Sequence, residues 1–365
     1  MLCEDLCYTI RMNTRSLKLA VPALLQWYQQ NKRDLPWRKT QDPYHIWVSE
    51  IMLQQTRVEA VKEYYVRFLQ ALPTLHDLAV CPQDKLLKLW EGLGYYNRVK
   101  NMQKAAIQIE TEFGGSFPQD YLSLQKLKGI GAYTARAISS IAFGEPQAVV
   151  DGNVLRVYAR FFATSADIST EQSRKAVQAD LNEVIPTDNA GDFNQAMMEL
   201  GATVCVPNGM PSCAACPVKN QCLAYSRKEQ LLYPVKAAKP GRKSINYTVF
   251  LLQCDNRMAV KKRTDKGVLN GLYELPNKEG FLSADEAKQF VTENYGEVLS
   301  VTPMPQAKHI FSHLEWQMIG YHVLLKQTDS PELLPAETVF RDLSLPSAFR
   351  TFTEYAKRVF CLKGE

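Results

Sequence analysis

The sequence contains no long hydrophobic run, no internal repeat and no low-complexity tract. None of its 365 residues belongs to a stretch that approaches the roughly twenty apolar residues needed to cross a membrane. Residues 1–15 include four charged side chains and lack the apolar segment of a signal peptide. These absences predict a soluble cytoplasmic protein, associated with the nucleoid if it is bacterial, with no membrane partner. The formal net charge of only +5 is compatible with a polyanionic partner but does not require one.

Cysteine is sparse outside one short segment. Five of the nine cysteines are scattered singly, which suits a reducing compartment and argues against a disulfide-bonded scaffold. The other four lie within 18 residues of one another, which predicts an inorganic centre. Because there is one C-x-x-C pair and no trailing histidine, the spacing favours a [4Fe–4S] cluster, with structural zinc as the alternative. The four predicted ligands are Cys205, Cys213, Cys216 and Cys222.

Length and pattern predict a multidomain protein with two folded domains. Residues 17–226 show apolar residues at helical spacing, which indicates an all-α domain. Residues 227–244 are rich in Lys, Arg, Pro and Gly, as an exposed linker is. Residues 245–365 contain strand-forming runs and one amphipathic helix near 284–294, which predicts an α+β domain. Residues 1–16 are predicted to be a disordered tail.

A glycine pair in the helical half predicts a helix-hairpin-helix. Gly129 and Gly131 separate an apolar segment ending at Leu127 from a second helix that begins near Tyr133. Glycine allows a tight turn, so the first amides of the second helix can point at a DNA phosphate, with Lys128 close by. An ordinary glycine turn is the alternative.

A second glycine loop, Gly92–Arg98, places two tyrosines on a bend. Asn97 stands where a dinucleotide-binding loop requires glycine, so the loop is not predicted to bind a nucleotide. Tyr95 at its tip is a candidate wedge for a base stack, although tyrosine is more often packed inside a protein.

Two carboxylates differ from the solvated charges. Glu50 has strongly apolar neighbours, and burial would raise its pKa and make it a candidate general acid. Asp151 follows an apolar run and precedes a helical segment, so it is a candidate for either helix capping or catalysis.

The order of hairpin, aspartate and four-cysteine segment along about 200 residues resembles the helix-hairpin-helix superfamily of DNA glycosylases that includes endonuclease III. Within that superfamily, VSEIMLQQTRV (48–58), WEGLGYY (90–96) and VDGNV (150–154) closely resemble adenine DNA glycosylases of the MutY type. The resemblance implies base excision repair by a monomer that binds double-stranded DNA. Its activity would be the removal of adenine mispaired with 8-oxoguanine, and also with guanine, which prevents G:C to T:A mutations.

The resemblance also implies residue roles. Glu50 would protonate adenine at N7, and Asp151 would stabilise or capture the sugar cation, as the second carboxylate does in glycoside hydrolysis. Tyr133 and Asn153 would assist water in resolving a transient covalent intermediate. Because Tyr133 stands where bifunctional relatives carry lysine, no Schiff-base lyase step is expected.

The implied DNA contacts surround the nucleotide that must be flipped out of the duplex. Gln55 and Tyr95 would enter the stack near 8-oxoguanine. The full set of implied contacts is Gln54, Gln55, Thr56, Arg57, Leu93, Tyr95, Lys128, Gly129 and Gly131. The loop between the first two cluster cysteines has seven residues where the family usually has six, and Gly209 is expected to absorb the extra one.

The C-terminal half resembles the Nudix-like domain of the same family. Residues 271–276 match the segment before a Nudix helix, but only Glu293 remains of the acids that would hold magnesium, which favours binding over hydrolysis. His309–Trp316 matches the lesion-recognition loop, so Phe311, Ser312 and His313 would lie over 8-oxoguanine. A zinc site at the two histidines of this segment is the weaker alternative.

Two other functions remain open on the sequence. One is an endonuclease III-like glycosylase with lyase activity on oxidised pyrimidines. The other is a non-catalytic DNA-binding or redox-sensing iron–sulfur protein.

Overall fold

The computed structural model describes residues 2–237, 241–264, 267–327 and 330–362, with side chains described from residue 14 onward. The chain divides into two compact units. The first unit comprises residues 1–80 and 101–238, and the second comprises residues 81–100 and 239–365. Residues 81–100, predicted to belong to the helical domain, thus group with the C-terminal part of the chain.

Helices dominate the chain up to residue 226, as predicted. Residues 14–16 lie in the first helix and Thr14 is buried, so the prediction of a disordered tail is wrong for these three residues. The side chains of the rest of that tail lie outside the described residues. In chain order the helices are Leu2–Asn31 (α1), Pro43–Leu53 (α2), Val58–Ala71 (α3), Leu75–Val80 (α4), Gln83–Leu89 (α5), Asn97–Phe113 (α6), Tyr121–Leu124 (α7), Ala132–Phe143 (α8), Gly152–Phe161 (α9), Glu171–Val184 (α10), Ala190–Thr203 (α11), Leu223–Ser226 (α12), Ala284–Tyr295 (α13), Ala336–Asp342 (α14) and Arg350–Val359 (α15).

The helix ends follow from local sequence. The side chain of Asp42 caps α2 by accepting hydrogen bonds from the second and third amides, and Pro43 occupies the first helical position. Gly144 ends α8 in the left-handed conformation, with φ of 73°. Short 3₁₀ turns lie at Pro36–Arg38, Cys213–Ala215, Lys219–Gln221 and Ser347–Phe349.

The core of the first unit joins α1, α9, α10 and α11. Leu24, Val154, Leu181 and Phe193 come from these four helices and are each at most 1% exposed. Each such side chain contributes about 1.5–3 kcal/mol by leaving water. This packing holds the N-terminus of α9, where Asp151 lies, in a fixed position.

The predicted exposed linker, 227–244, is anchored in its first part. The buried guanidinium of Arg160 donates hydrogen bonds to the carbonyls of Gln230 and Tyr233, both at 3.0 Å. A buried guanidinium requires acceptors, and this stretch of backbone supplies them. Residues 227–237 therefore belong to the first unit, although most of their side chains are exposed.

The second unit is built on a mixed sheet with helices on both faces, and the predicted fold class is confirmed. Val249 packs with Phe352 of α15 on one face, while Phe250 packs with Val291 of α13 on the other. The strands are Lys243–Cys254 (β1), Arg257–Ala259 (β2), Lys261–Lys262 (β3), Tyr273–Glu274 (β4), Asn277–Glu279 (β5), Val298–Ile310 (β6), Leu314–Leu325 (β7) and Leu333–Pro335 (β8).

The main sheet has the order β6-β7-β1-β2-β8, with β5 also paired to β1, while β3 and β4 form a separate two-stranded sheet. β1 and β7 are parallel, from Lys243 opposite Leu314 to Gln253 opposite Leu324. β6 and β7 are antiparallel and form a hairpin whose turn is residues 311–313. Among the helices of the described ranges, none has the length and apolar character needed to cross a membrane.

Candidate functional site

Glu50 lies on the buried side of α2, with only 7% of its surface exposed. Burial raises the pKa of its carboxyl to about 7, the hydrogen bond from Tyr133 on α8 lowers it, and the negative charge of Asp151 raises it again. The pKa of Tyr133 is itself raised well above its usual value, first by burial, so the phenol stays protonated and can donate to Glu50. Glu50 is therefore poised to hold a proton near neutral pH.

Asp151 caps α9 and also faces the same site. Its Oδ1 accepts from the Val154 amide at 2.7 Å, and its Oδ2 accepts from the Asn153 side-chain amide at 2.8 Å. Burial raises its pKa, whereas these hydrogen bonds lower it, and the net direction is upward. The capping and catalytic interpretations of Asp151 are thus compatible, because the cap uses one oxygen and fixes where the other points.

Asn153 and Tyr133 are held by α11. A side chain at Gly201 would come within 2.6 Å of the Asn153 Cβ, so only glycine allows α11 to pack this closely on the start of α9. Arg156 donates to the Asn153 side-chain oxygen at 2.8 Å and to the Gly201 carbonyl at 2.7 Å. The Tyr133 hydroxyl lies 3.7 Å from the Met198 sulfur. The structure therefore brings together all four predicted catalytic residues.

An ion cluster near this site was missed by sequence reasoning. Glu199 of α11 is 1% exposed and accepts from Arg33 at 2.7 and 2.8 Å and from Arg38 at 2.8 Å. Burial alone would raise the pKa of Glu199, but the two guanidinium groups hold it at about 2. The charge of Arg38 also lowers the pKa of Glu50. An acid within the apolar MMEL run was the available clue.

The glycine hairpin is formed as predicted. Gly129 has φ of 77°, and a side chain there would come within 2.6 Å of the Asn101 Cβ. Gly131 precedes α8, and no side-chain hydrogen bond caps the start of that helix. Lys128 and both glycines are exposed. The hairpin thus offers a helix N-terminus and a cation to a phosphate.

The turn between α2 and α3 carries four further predicted DNA contacts. Gln55 is exposed and adopts a left-handed φ of 61°, which costs energy for a residue other than glycine. Arg57 is exposed, Thr56 is half-buried, and the Gln54 amide lies 3.4 Å from the Thr134 hydroxyl at the start of α8. All four therefore lie at the surface turn that follows Glu50.

The four clustered thiols open onto one cavity of about 30 Å³. Arg160 donates to the Cys205 sulfur at 3.3 Å, and Gln230 donates to the Cys213 sulfur at 3.8 Å. No three of the His, Cys, Asp and Glu side chains in the described ranges converge closely enough for one metal ion. Four cysteine thiols around a shared cavity are a donor set for either a [4Fe–4S] cluster or a tetrahedral zinc. Gly209 has φ of 76° in the longer loop.

The second glycine loop lies in the second unit. Tyr95 is 49% exposed with φ of 48°, and its hydroxyl is 2.9 Å from the Ser312 hydroxyl. Leu93 was predicted to contact DNA, but it is only 6% exposed. The Leu93 side chain therefore packs inside the protein, and a DNA contact by this residue stays a prediction that only its backbone could meet in this conformation.

The predicted lesion-recognition residues form the β6–β7 turn. Ser312 and His313 are exposed at its tip. Phe311 is half-buried, and its ring centroid lies 4.8 Å from that of Trp316, so the turn is anchored on the core. Elsewhere in this unit, the predicted Nudix remnant Glu293 is exposed on α13 and accepts a hydrogen bond from Gln289 at 2.9 Å.

Comparisons with known proteins agree with this geometry. Residues 48–186 match the HhH-GPD superfamily of base excision DNA repair proteins, and residues 248–355 match the NUDIX domain. An adenine DNA glycosylase of Arabidopsis thaliana is 36% identical over 369 residues, covering 85% of this chain but only 58% of that protein. One from Buchnera aphidicola (Baizongia pistaciae) is 33% identical over 295 residues, covering 80% and 82%. The structure of a thermostable thymine-DNA glycosylase, 29% identical, aligns with a TM-score of 0.53 over 58% of this chain and 98% of that one.

Proposed function

The chain belongs to the adenine DNA glycosylase family, and from this membership we propose that it excises adenine lying opposite 8-oxoguanine, or opposite guanine, in duplex DNA. Acting as a monomer in base excision repair, it would prevent G:C to T:A mutations. The observation that carries this proposal is Glu50, a buried carboxyl whose pKa is raised to about 7 beside Asp151 and Tyr133. A carboxyl with that pKa can be protonated and still be a useful acid at neutral pH.

The chemistry follows from the two carboxyl groups. Glu50, protonated, gives its proton to N7 of the flipped adenine, so that the base leaves as a neutral molecule. Asp151, ionised, faces the positive charge that develops on the sugar as the glycosidic bond breaks. Tyr133 and Asn153 hold the two carboxyls in place and help a water molecule to complete the hydrolysis.

DNA binding is proposed for three groups of residues, two in the first unit and one in the second. The hairpin glycines and Lys128 grip a backbone phosphate without reading sequence. Gln54, Gln55, Thr56 and Arg57 follow Glu50 directly in the chain and would line the opened duplex. In the second unit, Tyr95 would enter the stack, while Phe311, Ser312 and His313 would read 8-oxoguanine.

The four clustered cysteines would hold a [4Fe–4S] cluster. Such a cluster supplies four metal–thiolate bonds that order a loop. Arg160 links this loop to α9 by donating to Cys205 and to the Val206 carbonyl. The cluster would thereby order the end of the first unit.

Replacing Cys216 by Ser is expected to abolish the cluster. The variant should lose iron and acid-labile sulfide, its visible absorption, and much of its thermal stability, because metal–ligand bonds contribute directly to folding. Cys361→Ser, at an exposed cysteine of the second unit, is the matched control and should change none of these. Purified wild-type protein that carries zinc and no iron would contradict the cluster assignment.

Adenine release under single-turnover conditions tests the function itself. Cluster-loaded protein should release adenine from a duplex holding adenine opposite 8-oxoguanine, and borohydride should trap no covalent complex. Trapping together with strand cleavage at oxidised pyrimidines would show the lyase instead. Tight duplex binding without base release would show the non-catalytic alternative.

A further inference from the structure

Helix α5 and the residues after it are joined to the C-terminal part of the second unit by side chains that contact backbone atoms. Lys88 donates from its Nζ to the carbonyls of Phe340 at 2.8 Å and Leu343 at 3.1 Å. These carbonyls lie at the C-terminal end of α14, where a helix favours a cation. The same ammonium group contacts Glu91 Oε2 at 2.6 Å.

Glu91 completes this contact with its other oxygen. Its Oε1 accepts from the backbone amide of Leu345 at 2.6 Å. The Glu91 carboxylate thus binds both Lys88 and the backbone that follows α14. The side chains of Lys88 and Glu91 are each about 70% buried. Bonds in which donor or acceptor is charged are shorter and stronger than neutral ones, and partial burial reduces their screening. We refer to Lys88, Glu91 and their backbone partners as the clamp.

Two further contacts join residues 81–100 to an earlier part of the second unit. Asp84 pairs with Lys262 at 2.8 Å, and Lys100 donates to the Asn270 carbonyl at 2.6 Å. The segment 81–100 is therefore fastened on both sides of the loop that carries Tyr95.

The loop between these contacts is stiff. Trp90 donates to the Gly94 carbonyl at 3.1 Å, and Arg98 donates to the carbonyls of Leu93 at 3.0 Å and Gly94 at 3.1 Å. These bonds hold Tyr95 at its left-handed φ, which a free loop would relax. A displacement at Glu91 would therefore be transmitted through the loop to the Tyr95 hydroxyl.

We propose that the clamp is a positioning device that fixes Tyr95 against Ser312, so that inserting the wedge and reading the lesion occur together. This inference rests on the proposed function and adds Glu91 and Lys88 to it as positioning residues. The 2.9 Å contact between the Tyr95 and Ser312 hydroxyls is the point at which the two tasks meet. Because only 8-oxoguanine offers the edge that Ser312 would read, loss of the clamp should affect that substrate selectively.

The experiment compares single-turnover adenine release opposite 8-oxoguanine with release opposite guanine. In Glu91→Ala, the ratio of the two rates should fall about tenfold, because the wedge serves both duplexes but only the 8-oxoguanine duplex also loses the contact with Ser312. Glu91→Gln keeps an acceptor for the Leu345 amide and should recover part of the ratio. Lys88→Met should resemble Glu91→Ala, and Lys85→Met, at an exposed lysine of the same helix, should leave the ratio unchanged.

A double-mutant cycle with Ser312→Ala separates positioning from general destabilisation. If the clamp acts through Ser312, Glu91→Ala should add little to the loss already present in Ser312→Ala. An unchanged ratio in Glu91→Ala, equal losses on both duplexes, or fully additive losses in the cycle would each overturn the clamp. Absence of adenine release by the wild type would instead overturn the proposed function.

Discussion

Replacing Glu50 by Gln is expected to slow adenine release about 10³-fold, since a positioned general acid contributes about 10²–10⁴-fold. Gln fills the same space and can still accept from Tyr133, but it has no proton to give to N7. The measurement is the single-turnover rate at pH 7 on adenine opposite 8-oxoguanine. Glu63→Gln, at an exposed acid on neighbouring α3, should keep the wild-type rate.

The pH dependence gives an independent check on the same residue. Because the pKa of Glu50 is about 7, the wild-type rate should fall as pH rises above that value and the acid loses its proton. The raised pKa also means that folding stability falls as pH rises from about 4.5 through about 7, where the buried carboxyl must ionise. Glu50→Gln should therefore match the wild-type melting temperature near pH 4.5 and exceed it above pH 7. If folded Glu50→Gln protein released adenine at the wild-type rate, Glu50 would not be the general acid.

Replacing Asp151 by Asn is expected to lower the rate by about 10³-fold while changing the free energy of unfolding by less than about 1 kcal/mol, since Asn caps helices as well as Asp does. The substitution keeps an acceptor for the Val154 amide and removes the charge that faces the sugar cation. Urea unfolding and single-turnover rates would be measured on the same preparation. Asp120→Asn, at the cap of α7, is the matched control and should alter neither quantity appreciably.

Two outcomes would distinguish the roles of Asp151. If the variant loses stability and activity in proportion, Asp151 is a structural cap only. If activity alone is lost, the carboxylate is catalytic. The raised pKa of Asp151 further predicts that the wild-type rate declines at the acidic end, as this group takes up a proton, so the complete profile should be bell-shaped.

Residues that act through local chemistry could be predicted from the sequence. Glu50 was identifiable because its neighbours on α2 are apolar, and burial always raises the pKa of a carboxyl. The glycine hairpin was identifiable because few residues other than glycine tolerate the φ of 77° found at Gly129. Helix α13 was likewise identifiable from its amphipathic pattern.

Residues whose role depends on distant partners could not be predicted. Glu199 meets Arg33 and Arg38 across more than 160 positions of sequence, and although the apolar MMEL run hints that Glu199 is buried, nothing local identifies the two arginines as its partners. The family resemblance implied Leu93 as a DNA contact, yet packing removes its side chain from the surface. Burial of a loop side chain depends on the tertiary structure that packs against it, and the spacing of residues along the chain does not predict that packing.

The sequence by itself determined the two kinds of domain, the helix ends, the hairpin and the set of cysteines, because each depends on backbone preferences and side-chain periodicity over a few residues. Only the tertiary structure decided that Asp151 both caps α9 and faces Glu50, and that residues 81–100 are fastened to the second unit through Lys88 and Glu91. The physical reason is that desolvation and hydrogen bonding to backbone atoms depend on which distant segments come into contact. The periodicity of apolar residues along the chain does not encode those contacts.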